Sequence, residues 1–230
     1  VKTVVVIPAY NEEKTIAEVV SGVREVVPHV FVIDDGSSDS TGAEAKRAGA
    51  EVITHAINRG QGAALATGLE AAAAAAADVI VTFDADGQMD PADIPRLVSS
   101  VVSGEHDVVL GSRFLTDNGQ WTTDNGQMPI LRRILLKTAL AFTRLTTGLR
   151  LTDTHNGLRA FSRPAAEKLD LECDRMAHAS EILEKISANG LAYAEIPVTI
   201  RYTEYSKAKG QKLSGALKIL RDLVISDWID

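Results

Sequence analysis

The sequence predicts an α/β protein with a Rossmann-like, mostly parallel central sheet flanked by helices and a helical elaboration at the C-terminus. Three observations predict it. Through the first 113 residues, short apolar runs alternate with stretches of helical periodicity. Unbroken apolar strands separated by helices imply a parallel sheet covered on both faces. Each run ends in a polar loop, and after residue 113 the alternation gives way to longer helical stretches.

In order along the chain, Val4 to Ile7 is the first strand, ended by Pro8, and Ile16, Val19, Val20 and Val23 mark a helix over 15–27. Val30 to Ile33 is the second strand, stopped by Asp34-Asp35-Gly36. Ser38 or Asp39 is placed to cap a helix over 41–48. Val52-Ile53 is a third strand, and the alanine-rich stretch from Gly62 to Ala77 a helix. Val79 to Phe83 is the fourth strand, ended by Asp84-Ala85-Asp86-Gly87. Pro91 suits the first turn of a helix that runs to about Ser103, and Val108 to Leu110 is the fifth strand. Residues 115–128, which carry Thr-Asp-Asn-Gly-Gln twice, read as a loop. Helices are expected over 129–147 and 177–189, with strand-like stretches towards Phe161 and over 191–201, where Pro197 implies an edge or a bulge. Apolar residues at 213, 217, 220, 224 and 228 mark one face of a C-terminal helix.

Composition narrows the function. The 230 residues are 45% hydrophobic and 24% charged, ordinary for a globular protein that buries its own core. The single cysteine, Cys173, excludes an internal disulfide and a cysteine-cluster metal site, and suits a reducing, cytosolic setting. No apolar run approaches the ~18 residues of a membrane span, and the apolar start lacks the basic leader of a signal peptide. The chain opens on valine, which suggests a trimmed natural start. A net charge of −7 argues against general nucleic-acid binding. Yet residues 129–150 carry five basic and no acidic side chains, and residues 201–221 six basic and one acidic. Two basic stretches in an acidic chain suggest a local site for an anion such as phosphate.

In open α/β sheets, ligands bind at the carboxyl ends of the strands. That rule gathers Tyr10-Asn11-Glu12, Asp34-Asp35-Gly36, Asp84-Ala85-Asp86 and Ser112-Arg113 along one rim. The first strand is followed by Pro8-Ala9-Tyr10-Asn11 without a glycine, against a dinucleotide fingerprint, and there is no Walker lysine loop. Asp84 and Asp86, spaced i, i+2 at a strand end, reach one small volume. Asp86 and the amide oxygen of Gln88 can supply ligands to a hard cation, Mg²⁺ or Mn²⁺, that also takes phosphate oxygens, while Asp84 can orient the site or the sugar-nucleotide. The alternative is a solvated acidic turn. Asp35 is either part of a turn or an acceptor for a base N–H or ribose hydroxyl. Arg113, Arg132, Arg133 and Arg201 are candidate phosphate clamps, because a guanidinium fork matches phosphate. The helix carrying Arg132 has a wide apolar face flanked by positive charge only, which suits either the core or an anionic membrane surface. Asp153, His155, His178 and Glu181 are candidate bases or acceptor-site groups, with the histidines lacking metal-ligand spacing.

Five strand-end motifs in order, Val-Ile-Pro-Ala-Tyr-Asn-Glu at 6–12, Val-Ile-Asp-Asp-Gly-Ser at 32–37, Asn-Arg-Gly at 58–60, Asp-Ala-Asp-Gly-Gln at 84–88 and Gly-Ser-Arg-Phe at 111–114, resemble family 2 glycosyltransferases of the GT-A fold. Asp-Thr-His-Asn-Gly-Leu-Arg at 153–159 and Ser206-Lys207 fit the branch of dolichyl- and polyprenyl-phosphate sugar transferases. The resemblance implies a single domain, with residues 1–113 binding a GDP- or UDP-linked sugar and 114–230 the polyprenyl phosphate acceptor. It implies that Pro8, Tyr10, Glu12, Ile33 and Asp35 hold the base, and that Asp84, Ala85 and Asp86 contact the sugar-nucleotide. Asp86 and Gln88 would bind Mg²⁺ or Mn²⁺, Arg113 and Arg132 would meet the acceptor phosphate near Asp153, and Arg201 would reach over the donor. Relatives of this kind often carry transmembrane helices after the catalytic domain. This sequence shows none, so docking through amphipathic helices at the cytoplasmic face, a separate membrane partner, or a longer natural chain is expected. A hydroxyl acceptor, with Asp153 or Glu181 as base, a nucleotidyltransferase and a catalytically silent nucleotide-sugar binder are the competing readings.

Overall fold

The structure, a computed structural model, describes residues 1–116, 130–172 and 177–201, with side chains from 138 onward in the helix that begins at 130. The elements alternate as the apolar runs predict: β1 (Thr3–Ala9), α1 (Ile16–Val26), β2 (His29–Asp34), α2 (Thr41–Arg47), β3 (Glu51–Thr54), α3 (Gln61–Ala74) and β4 (Val79–Thr82). A 3₁₀ turn at Pro91–Asp93 leads into α4 (Ile94–Val102) and β5 (Val108–Ser112). Then follow α5 (Ile130–Thr147), β6 (Arg159–Ser162), α6 (Arg163–Leu169), α7 (His178–Ala188) and β7 (Tyr193–Pro197). The expected C-terminal helix, with Ser206, Lys207 and most of the 115–128 loop, lies outside the described residues, as does Cys173.

The seven strands form one sheet in the order β3-β2-β1-β4-β6-β5-β7. β1, β2, β3 and β4 run parallel, as does the β5–β7 pair, while β6 is antiparallel to both its neighbours. β7 is an edge strand, which accommodates Pro197 at its end. The alternation of the pleat divides β1 between two cores. Val5 and Ile7 pack with Ile16, Val20, Val23, Ile94 and Leu97 on the α1–α4 side. Val4 and Val6 pack with Leu65, Leu69, Leu169, Ile182 and Ile186 on the α3–α6–α7 side. Each fully buried aliphatic side chain contributes on the order of 1.5–3 kcal/mol, so both faces of the strand are strongly fixed.

Two boundaries and one added helix differ from the sequence reading for local reasons. β1 continues through Pro8 to Ala9. Its pairing with β4 ends at Val6, so the N–H that Pro8 lacks removes no ladder bond on that side. α3 stops at Ala74 rather than Ala77, with Ala76 at φ 57°. There Lys2 Nζ donates to the Ala75 carbonyl at 2.6 Å and Arg163 Nε to the Ala77 carbonyl at 2.6 Å, satisfying the helix end with cations. α6 was not expected from periodicity. Ser162 caps it, its hydroxyl accepting from Ala165 N, with Pro164 in the first turn.

Gly68 lets α3 lie against β1, since a Cβ there would stand 2.1 Å from Val6 Cγ1. The sheet order reverses direction between β1 and β4, so a crevice opens where their carboxyl ends diverge.

Candidate active site

A cleft of about 370 Å³ occupies that crevice, lined by Pro8, Tyr10, Glu12, Asp35, Gly60, Gln61 and the Asp84-Ala85-Asp86 run, among others. The strand-end residues of β1, β2 and β4 therefore meet. Tyr10 is exposed at the rim, while Glu12 and Asp35 are buried. Glu12 N donates to Thr41 Oγ1 at 2.7 Å, which ties the loop after β1 to the start of α2. Ile33 does not line the cleft: it is fully buried among Val6, Leu65 and Leu69 on the α3 side of the sheet.

Asp35 is held firmly. Its Oδ1 accepts from His55 Nδ1 at 2.7 Å and from Arg59 N at 3.0 Å, and its Oδ2 from Gly60 N at 2.7 Å. His55 in turn lies 3.0 Å from Thr67 Oγ1 through Nε2. The Asn58-Arg59-Gly60 loop is thus clamped against the end of β2.

Asp84 sits at the end of β4 under the segment that enters β6. Thr82 Oγ1 donates to the Gly157 carbonyl at 2.6 Å, and a Cβ on Gly157 would stand 2.4 Å and 2.5 Å from the two Asp84 oxygens. Burial, with the Asp86 charge adding, pushes the Asp84 carboxyl up to about 6. Arg159 and Arg113 work the other way and limit the rise. Arg159 is itself buried at the start of β6. Burial lowers its guanidinium from the ordinary value, against the opposing charges of Asp84 and Asp153.

Asp86 and Gln88 close on each other: Gln88 N donates to Oδ1 at 3.0 Å and Gln88 Nε2 to Oδ2 at 2.7 Å. The carboxylate and the amide oxygen of this pair are hard donors that fit Mg²⁺ or Mn²⁺. Among the described residues no group of three or more His, Cys, Asp and Glu forms a closed metal cage. A cation here would complete its shell with ligand oxygens, as magnesium sites on phosphates do.

Arg113 at the end of β5 is engaged by Asp153: Nε donates to Oδ2 at 2.7 Å, Nη2 to Oδ1 at 2.8 Å, and the backbone N to Oδ2 at 3.1 Å. Burial alone would raise the Asp153 carboxyl, but the Arg113 bonds and charge outweigh it and hold it below the ordinary value. Arg201 lies across the loop after β4. Its N donates to the Gln88 carbonyl at 2.7 Å, its guanidinium pairs with Asp90, and Met89 bridges Ile200. Arg201 and Asp86 both line a second, larger cavity of about 670 Å³ against α1. Arg132 lies in α5, its side chain outside the described residues. His155 is exposed, whereas His178 and Glu181 are buried on α7, where Glu181 Oε1 accepts from Glu172 N at 2.7 Å.

The chain is similar to known proteins. The family model described as glycosyl transferase family 2 matches residues 4–170. The chain belongs to glycosyl transferase family 2. It is 35% identical over 240 residues to the UDP-N-acetylglucosamine–dolichyl-phosphate N-acetylglucosaminyltransferase of Methanococcus voltae, covering 96% of this chain and 94% of that one. It is 32% identical to the polyprenol monophosphomannose synthase of Mycolicibacterium smegmatis, over 94% of this chain and 84% of that one. Among solved structures, glucosyl-3-phosphoglycerate synthase from Mycobacterium tuberculosis, in complex with Mn²⁺ and UDP-glucose, superposes with a TM-score of 0.71 at 23% identity. That match covers 97% of this chain and 76% of that one. The fold of this glycosyltransferase is GT-A, and the protein is an enzyme of that class.

Sequence reasoning missed His55, Gln61 and Glu195, and named Arg159 only as the last residue of the 153–159 motif, without a role. His55 follows β3, so the strand-end rule extended by one strand reaches it. Gln61 Nε2 donates to Asp84 Oδ1 at 3.3 Å from the start of α3. Arg159 and Glu195 sit inside strands, where no turn chemistry marks a polar residue.

Proposed function

We propose that this family 2 glycosyltransferase moves a sugar from a GDP- or UDP-linked donor to the phosphate of a polyprenyl (dolichyl or undecaprenyl) lipid, with inversion at the anomeric carbon. The observation that carries the reading is one rim with an acidic pair, Asp84 and Asp86, at the end of β4, and the Arg113–Asp153 ion pair at the end of β5. The named activities of the Methanococcus and Mycolicibacterium relatives, on dolichyl phosphate and polyprenol, support it. In this reading Pro8, Tyr10, Glu12 and Asp35 form the base pocket, with Ile33 backing it from the core. Asp84, Ala85 and Asp86 contact the sugar-nucleotide, residues 1–113 forming the donor half and 114–230 the acceptor half.

Asp86 and Gln88 would hold Mg²⁺ or Mn²⁺, which would supply charge neutralisation on the departing diphosphate. Arg201, which follows β7 and is bonded to the Gln88 carbonyl, adds positive charge beside the donor. Arg113 and Arg132 orient the acceptor. A phosphate monoester is already largely dianionic near pH 7, its second pKa being ~6, so positioning suffices and no strong base is needed. A hydroxyl acceptor needs a base. Asp153, pinned by a guanidinium and held below its ordinary pKa, is poorly suited to that task, and Glu181 is occupied by a backbone N–H away from the cleft. Both points favour the phosphate acceptor.

Among the described residues no helix is long and apolar enough to cross a membrane. The described part of α5 exposes Phe142 and Leu145, and its sequence carries only basic charge. This supports peripheral docking at the cytoplasmic face of a membrane, alone or with a separate membrane protein. Transfer of labelled sugar from a panel of nucleotide sugars into organic-extractable polyprenyl phosphate, with Mg²⁺ or Mn²⁺, tests the proposal. Label in the lipid with wild type and none with Asp86→Ala is expected. Label transferred equally well by Asp86→Ala refutes the metal assignment, and no transfer from any donor refutes the lipid-phosphate reading.

A further inference from the structure

Glu195 lies in β7, opposite Leu110 of β5 and two residues along the sheet from Ser112. Its side chain leaves the strand to meet the loop before β6. Oε1 accepts from Thr152 N and Asp153 N, each at 3.0 Å, and Oε2 from Thr152 N at 2.8 Å. The same loop is tied to the end of β5 by the Thr152 and Ser112 hydroxyls, 2.6 Å apart. Asp153, its backbone fixed in this way, presents both carboxylate oxygens to Nε and Nη2 of Arg113.

Here are two acids within one short loop contact, only one of which touches the arginine. A neutral hydroxyl or amide could cap a turn of this kind. A half-buried carboxylate is costly there: burial raises the Glu195 carboxyl, and the Asp153 charge adds to the rise while the backbone bonds oppose it. Hydrogen bonds to an ionised acceptor are about twice as strong as neutral ones, which offsets the cost and stiffens the loop. Stiffness matters because the Nε–Nη2 edge of a planar guanidinium, once gripped by Asp153, fixes the direction of the Nη1 edge.

We propose that Glu195 is a positioning residue for the acceptor: through the Thr152–Asp153 backbone it sets the Asp153 carboxylate, and through it the orientation of the Arg113 guanidinium towards the acceptor phosphate. The proposal rests on the reading that Arg113 meets that phosphate. Glu195 itself touches neither substrate. The relay is one-sided, since none of its members lines the base cleft.

Two variants test it. Glu195→Gln keeps the size and one acceptor oxygen but turns an NH₂ group towards a backbone N–H. Glu195→Ala removes both acceptors. The first readout is the Arg113 Nε–H proton signal, identified by its loss in Arg113→Lys. Its exchange with solvent is expected to quicken about 10-fold in Glu195→Gln and further in Glu195→Ala. The second readout separates the substrates. The KM for polyprenyl phosphate is expected to rise about 10-fold in Glu195→Gln, with nucleotide-sugar KM unchanged. Nε–H exchange within two-fold of wild type in both folded variants overturns the proposal. So does an acceptor KM that stays in place while the proton signal moves, or a donor KM that rises equally. If wild type transfers no sugar to any polyprenyl phosphate, the function proposed above falls, and the exchange measurement then decides the Glu195 relay by itself.

Discussion

Gly157 leaves the space that the Asp84 carboxylate occupies: a Cβ at 157 would lie 2.4 Å from Asp84 Oδ2 and 2.5 Å from Oδ1. The contact joins the loop entering β6 to the acidic end of β4, so the two halves of the rim share one steric constraint. Gly157→Ala is expected to displace the Asp84 carboxylate while costing about 1–3 kcal/mol of stability, the usual range for overpacking. Steady-state kinetics beside a melting curve checks this. A turnover loss of two orders of magnitude with a folded protein is the expected result, the scale that misplacing a reacting group by about 1 Å produces. Wild-type turnover would show that Asp84 needs no such placement.

The Arg113–Asp153 pair gives a pH-dependent stability with a definite sign. The folded-state pKa of Asp153 is lowered, so its ionised form stabilises the fold above the unfolded value near 3.8. That contribution disappears as pH falls through the lower folded value. Arg113→Met leaves a buried carboxylate without its partner and is expected to cost about 3 kcal/mol at pH 7. Without the arginine, burial raises Asp153 in the variant, so the difference from wild type should start to shrink while the pH is still above 4, as the variant's carboxyl protonates, and close further as pH falls through the lowered wild-type value. Thermal unfolding of both proteins between pH 3 and 7 measures it, and a pH-independent gap would remove Asp153 as the cause.

His55 is predicted to act on donor binding alone. It supplies one of the two bonds to Asp35 Oδ1 and rests against Thr67 Oγ1. His55→Ala should loosen Asp35 and weaken binding of the preferred nucleoside diphosphate about 10-fold, the effect of roughly 1.4 kcal/mol and within the cost of one lost buried hydrogen bond to a charged group. Calorimetric titration with UDP and with GDP reads both the loss and the base preference. Unchanged affinity for both would place the base away from Asp35.

The strand-end residues were legible because the rule that locates them needs only the strands, and apolar runs such as Val4 to Ile7 mark strands well. Pro8, Tyr10, Glu12, Asp35, Asp84 and Asp86 meet in one cleft for this reason. Ile33 is a strand residue on the α3 side of the pleat, and its alternation with Val32 already assigns it to a core. The reversal of β6 was not legible. Arg159 and Asp84 approach only because β6 returns between β4 and β5, pairing Arg159 with Thr82 and with Leu110. Glu195 was hidden for a similar reason, since its partners stand 42 and 43 residues earlier in the chain.

Arg201 offers the opposite case to Arg113, because exposure changes what an ion pair is worth. Its side chain is 66% exposed, and its partner Asp90 follows the loop that carries Asp86 and Gln88. Such a pair contributes about 0–1 kcal/mol to stability, so Arg201→Ala should melt within a degree or two of wild type. Its backbone N–H on the Gln88 carbonyl is retained in the variant, so the loop that carries Asp86 keeps its anchor. If the guanidinium serves the departing diphosphate, kcat should nonetheless fall about 100-fold, the scale of removing one preorganised donor to developing charge. Asp90→Asn should have a smaller effect, since it releases Arg201 without removing its charge. Equal activity of Arg201→Ala and wild type at saturating donor would leave Arg201 as a surface partner of Asp90 and nothing more.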